Sequence, residues 1–121
     1  MDSAKKIAAS GIKYYIEVAN MPTTNDALEF LKEQKHMVIA PSKAVNACGV
    51  AVSALEMAQN AERLYWTAEE VDAKMHQIMA NIYHSSVAAA ERYGLGYDLV
   101  AGANIVGFQR VADAMTAQGI F

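Results

Sequence analysis

The sequence predicts an α/β chain that turns mainly helical after Pro41. Three observations predict this. Two short runs, Lys13 to Val18 and Met37 to Ala40, are rich in aromatic, β-branched and other apolar residues and flank a segment with helical spacing. From Gly49 onward the apolar residues recur at helical intervals instead. Between two of those helical stretches, Thr67-Ala68-Glu69-Glu70 reads as a capping box, in which threonine hydroxyl and glutamate carboxylate satisfy each other's backbone N–H groups.

Taken in order, Asp2 to Ser10 reads as the tail of a helix, with Gly11 where it would end. Lys13 to Val18 is a strand whose Tyr14, Tyr15, Ile16 and Val18 form a nearly continuous apolar pattern, as suits a strand covered on both faces. Pro22 breaks it. A helix starts near Thr24 to Asp26 and carries Leu28 and Leu31 to about Lys35. Met37 to Ala40 is the second strand, and strand, helix, strand at this spacing makes a right-handed crossover unit of a parallel sheet. A polar loop then leads to Asn46. The next helix runs from about Val50 to Leu64 and stops at Tyr65-Trp66, with Trp66 placed to staple against Val71. Val71, Met75, Ile78 and Ile82 form the stripe of a helix that reaches about Tyr93 and ends at Gly94. A final helix from about Asn104 to Gln118 has Ile105, Phe108, Val111, Ala112 and Met115 as its apolar face.

Composition narrows the function classes. A length of 121 residues suits one domain of ordinary size, and a hydrophobic fraction of 54% supplies a core with apolar surface to spare. The net charge of −3, with acidic and basic residues interspersed, gives no electrostatic footprint for nucleic acid. The run Leu99 to Phe108 is broken by Asn104 and is far shorter than a membrane span. The start MDSAKKIAAS lacks the apolar centre of a secretion signal, and one cysteine excludes an internal disulfide, so a reducing cytoplasm is the expected compartment.

Two asparagines, Asn20 and Asn46, leave the carboxyl ends of the two successive strands. In an open parallel sheet that edge takes ligands, and an amide side chain offers donor and acceptor together, which suits a neutral carboxamide such as nicotinamide. The bland alternative is turn chemistry, since asparagine tolerates left-handed backbone and caps helices. Ser53 falls near a helix start, where a hydroxyl joins a region favourable to anions; spacing alone makes it a solvated or back-bonded helical serine. His36, His76 and His84 have no carboxylate or thiolate at ligand spacing, so no metal site is expected. Lys43 reads as a solvated loop lysine. Gly94-x-Gly96 and the pair Gly102 and Gly107 lack the context of a phosphate-binding loop and read as helix-end punctuation.

The segments Ile16 to Thr24 (IEVANMPTT), Ala40 to Val50 (APSKAVNACGV), Val52 to Asp72 (VSALEMAQNAERLYWTAEEVD) and Ala88 to Phe108 (AAAERYGLGYDLVAGANIVGF) resemble the C-terminal part of hexameric NAD(P)-dependent glutamate dehydrogenases, and together they span nearly the whole chain. The resemblance implies that residues 1–45 end a Rossmann-type nucleotide-binding domain. Residues 46–121 would then form a helical layer returning towards the cleft between domains. It implies a parent reaction that oxidatively deaminates L-glutamate to 2-oxoglutarate and ammonia with hydride passing to NAD or NADP. Asn20 and Asn46 would lie beside the nicotinamide and its ribose, and Ser53 and Val50 would shape the pocket for the glutamate side chain. Cys48 departs from the family's NAGGV, where glycine permits positive φ or close approach to the cofactor. The catalytic lysines and aspartate and the glycine-rich loop of such enzymes do not occur in this sequence, so the isolated chain is expected to have no turnover and no catalytic residue of its own. Cofactor binding by the chain alone is doubtful for the same reason. Homo-oligomerisation or association with the missing N-terminal part is expected. A rival reading is a non-enzymatic, self-associating helical module. A redox module using Cys48 lacks a resolving cysteine.

Overall fold

A computed structural model describes residues 1–119. Six α-helices and two strands follow in the order α1 (Asp2–Ala9), β1 (Tyr14–Ile16), α2 (Asn25–Lys32), β2 (Val38–Ala40), α3 (Ser42–Val45), α4 (Ala47–Glu62), α5 (Ala68–Arg92) and α6 (Leu99–Gln118). The strands pair in parallel, with Tyr14 opposite Val38, Tyr15 opposite Ile39 and Ile16 opposite Ala40. Tyr15 and Ile39 therefore share one face of the pair. On that side Ala4, Ala27, Leu31, Met37 and Ile39 form the core, with Ile7 of α1, Leu28 and Phe30 of α2 and Val100 of α6 packed against it. Leu31, 1% exposed, is its best-buried large side chain. The expected two-sided cover of β1 is not found: Tyr14 and Ile16 are each 58% exposed, so the strand buries one face only. The same face continues into Val38 and Ala40, which are half-buried, so cover there is partial and alternation of the pleat replaces the continuous burial the composition of β1 suggested.

The helical half is a hairpin of α5 and α6 with α4 packed along α5. At the joint, Gly94 takes φ +71°, and Leu95 N–H returns to the Ala90 carbonyl at 2.9 Å, closing α5 with a left-handed glycine as the sequence suggests. The capping box forms in full, with Glu70 N–H donating to Thr67 Oγ1 at 3.2 Å and Thr67 N–H donating to Glu70 Oε2 at 2.7 Å. Trp66 carries the Lys74 ammonium over its ring at 4.9 Å.

Several boundaries and roles differ from expectation. The presumed loop after Pro41 is mostly α3, and α4 begins at Ala47 rather than Val50. It ends at Glu62, before the Tyr65-Trp66 pair, because Arg63 turns left-handed at φ +57° and lets Leu64 N–H reach the Gln59 carbonyl. Next, α6 begins at Leu99, because Asp98 Oδ1 accepts from Ala101 N–H at 2.9 Å and caps it. Gly102 consequently lies inside the helix. A Cβ there would stand 2.0 Å from the Ser86 carbonyl oxygen, so glycine marks the close crossing of α5 and α6 rather than a helix end. Finally, the face of α6 turned to α5 is this small-residue side, and the expected stripe is only partly used: Ile105 and Ala112 are half-buried, while Phe108, Val111 and Met115 stand exposed.

Candidate functional site at the strand ends

The loops that leave β1 and β2 are joined by two contacts. The first is at the base. Glu17, directly after β1 and only 6% exposed, accepts through Oε2 from Ser42 N–H at 3.2 Å, while its own N–H donates to the Ala40 carbonyl at 3.0 Å. A buried carboxylate without partners would be costly. Here it faces the first free N–H of α3, where a negative group is favoured. The second contact is at the rim, where Asn46 Nδ2 donates to Asn20 Oδ1 at 2.6 Å. The two asparagines singled out from the sequence thus meet, across 26 positions of chain. Beside them Tyr15 and Thr23 hydroxyls share a hydrogen bond of 2.8 Å, which draws the MPTT segment back over β1.

Asn46 stands at the cap position between α3 and α4 and Asn20 in a bend, the placements of the bland alternative. Asn46, between α3 and α4, has φ −83° and makes no side-chain capping bond. The left-handed position in the loop belongs to Met21, at φ +46°. With one amide group of each spent on the other, the Asn20 NH2 and the Asn46 carbonyl oxygen remain as a donor and an acceptor without a side-chain partner among the described residues. That is the complement of a primary carboxamide.

Asn46, Val50 and Ser53 follow one another at spacings that put them on one face of α4. Val50 is 76% exposed. Ser53 is exposed and donates to the Gly49 carbonyl at 3.3 Å. It lies in the second turn of α4, not the first, because the helix begins at Ala47; the N-terminal field that would favour an anion has faded there. Its hydroxyl is back-bonded, as helical spacing alone suggests. Cys48 occupies the first turn of α4 and is absent from the residues with positive φ, so a side chain at this position costs no backbone strain. Among the described residues no group of three or more His, Cys, Asp or Glu side chains is arranged to hold a metal ion.

Sequence reasoning passed over two side chains. Glu17 was visible as the one acid inside an apolar strand pattern, which is a signal for a buried, partnered carboxylate. Lys43, read as solvated, reaches across to donate to Asn104 Oδ1 on α6, a pairing that no local pattern encodes.

The family model described as Glutamate/Leucine/Phenylalanine/Valine dehydrogenase matches residues 1–119. The chain is 72% identical over 120 residues to the NAD-specific glutamate dehydrogenase of Clostridium symbiosum, covering 99% of this chain and 27% of that protein. It is 53% identical over 122 residues to the NADP-specific glutamate dehydrogenase of Escherichia coli, covering 99% of this chain and 26% of that protein. A solved glutamate dehydrogenase superposes with a TM-score of 0.95 at 72% identity, covering 99% of this chain and 27% of that one. The chain spans about a quarter of the length of the curated relatives it matches. On this evidence the chain belongs to the glutamate, leucine, phenylalanine and valine dehydrogenase family.

Proposed function

We propose that this chain supplies the C-terminal quarter of an enzyme that oxidatively deaminates L-glutamate to 2-oxoglutarate and ammonia, using NAD or NADP. Residues 1–45 complete a Rossmann-type nucleotide domain and residues 46–121 form the helical layer that returns towards the substrate. The observation that carries the reading is the Asn46–Asn20 hydrogen bond at the carboxyl ends of two parallel strands. It leaves a donor and an acceptor that fit the carboxamide of a nicotinamide ring, and the fixed pair orients that ring before substrate arrives. The nicotinamide, when bound, supplies the hydride acceptor. Val50 offers an apolar wall, and Ser53 exchanges its weak internal bond to the Gly49 carbonyl for a substrate carboxylate. Proton transfers and the hold on the α-carboxylate fall to residues outside this chain, as does the cradle for the cofactor's phosphates. The same support does not distinguish NAD from NADP, since the two similar enzymes named above differ in that respect.

The test is glutamate-dependent reduction of NAD or NADP by the purified chain, alone and mixed with a separately produced N-terminal remainder of a similar dehydrogenase. The expected result is no turnover alone and turnover after mixing, with Asn46→Ala lowering the mixed rate at least about tenfold, the scale of one lost orienting contact. Turnover by the chain alone would overturn the proposed division of labour. A second reading, a self-associating helical module in the cytoplasm, is favoured by the exposure of Tyr65 (94%), Met57 and Phe108. Silence after mixing, with the two pieces shown to bind, would put it ahead.

A further inference from the structure

A cavity of about 500 Å³ lies between α3, α5 and α6. Its volume is within the range of small-ligand sites. Lys43, Asn81, Ser85, Ser86, Val106 and Arg110 are among the side chains that line it, and none of Asn20, Asn46, Val50 or Ser53 does. The lining contains two cations and no carboxylate. Lys43 is held at the site by its bond to Asn104 Oδ1, which occupies one of three ammonium donors and leaves the others free. Arg110 has no ion-pair partner among the described residues, although with Ser85 it also lines the neighbouring cavity that holds Asp113, one turn on. The Asn81 amide and the Ser85 hydroxyl make no side-chain hydrogen bond among the described residues, whereas Ser86 is spent on the Ile82 carbonyl at 2.8 Å. Two cations, an amide and a hydroxyl with free donors therefore converge on one space from three helices.

We infer that the α3–α5–α6 cavity binds a compact oxyanion, a phosphate or a carboxylate, between Lys43 and Arg110. The guanidinium fork matches two oxygens of such a group, and the ammonium supplies a point charge opposite it. Ser85 and Asn81 give directed donors that separate an oxyanion from chloride. The inference stands on the cavity alone and does not depend on the proposed reaction.

The test is a titration of the purified chain with inorganic phosphate, acetate and chloride at matched ionic strength, followed by NMR through the Arg110 side-chain Nε–H and the Ser85 amide. Saturable shifts with phosphate, acetate or both, and none with chloride, are expected. Tighter binding of phosphate would identify a free phosphate group as occupant, and equal binding of acetate a carboxylate. Lys43→Gln and Arg110→Gln should each weaken binding at least about tenfold, the scale of one charge-assisted hydrogen bond, while Lys74→Gln, altering the lysine over Trp66, should leave it unchanged. Both altered side chains are exposed, and circular dichroism would verify folding. Absence of saturation with either oxyanion on the parent chain, a test that needs no variant, would overturn the inference. So would undiminished binding in both glutamine variants.

Discussion

Asp98 shows how much one residue can carry. Burial pushes its carboxyl up, but the Ala101 N–H bond, the Lys32 ammonium at 2.8 Å and Val100 N–H more than offset this and hold it below its ordinary value of 3.8. The ionised form is thus favoured in the folded state. Its contribution is fully present above the unfolded value and is lost as pH falls through the lowered folded one. Asp98→Ala should cost about 1 kcal/mol at neutral pH by loss of the cap. Asp98→Asn should keep the cap and lose the pair with Lys32. Urea unfolding checks both: the gap between Asp98→Asn and the parent should be measurable at neutral pH and should close as pH falls through the lowered folded value, below which the carboxyl is protonated in folded and unfolded chains alike. A gap that persisted in acid would show that charge is not its source. Glu17 is the contrasting case, an acid whose buried partner is the backbone of a helix start, so its value lies in placing one loop against another.

At the scale of elements, two glycines of α6 should behave oppositely. A Cβ at Gly102 meets the Ser86 carbonyl at 2.0 Å, whereas one at Gly107 meets nothing within 4 Å. Gly107→Ala should stabilise by about 0.5 to 1 kcal/mol, the helical difference between the two residue types. Gly102→Ala should destabilise by about 1 to 3 kcal/mol, because α5 and α6 must move apart. Thermal unfolding of both variants decides it, and a like sign for the two would refute the packing argument. The same helix shows what the sequence made legible and what it hid. Capping chemistry that depends on adjacent residues was readable, as in Thr67 to Glu70 and at Gly94. Composition, punctuation and periodicity located both strands and every helix except α3, with the start of α6 placed five residues late. They could not tell which face of α6 meets α5, since that depends on Ser86, far away in the chain, and not on the hydrophobicity of Phe108 or Val111. The site was legible to the same extent. Strand-end position found Asn20 and Asn46, but their mutual hydrogen bond and the Lys43–Asn104 pairing are products of tertiary structure.

For the whole molecule, the core is small and one-sided. It is built from α1, α2 and one face of two short strands, while large apolar side chains of β1, α4 and α6 stand in solvent. A piece of this size has little interior to spare. The two halves on either side of Arg63 are nonetheless held together at several places: α4 and α3 lie against α5, α6 lies against β2, and Lys32 pairs with Asp98. The covalent link between those halves is by contrast the bare stretch after the left-handed Arg63, where Leu64 and Tyr65 are exposed. Continuity of the polypeptide and integrity of the fold are therefore separable here. Brief trypsin treatment should cut after Arg63, giving two bands on a denaturing gel and one peak on a native sizing column. Two native peaks would mean that the severed backbone, rather than packing between the halves, had been keeping them in place.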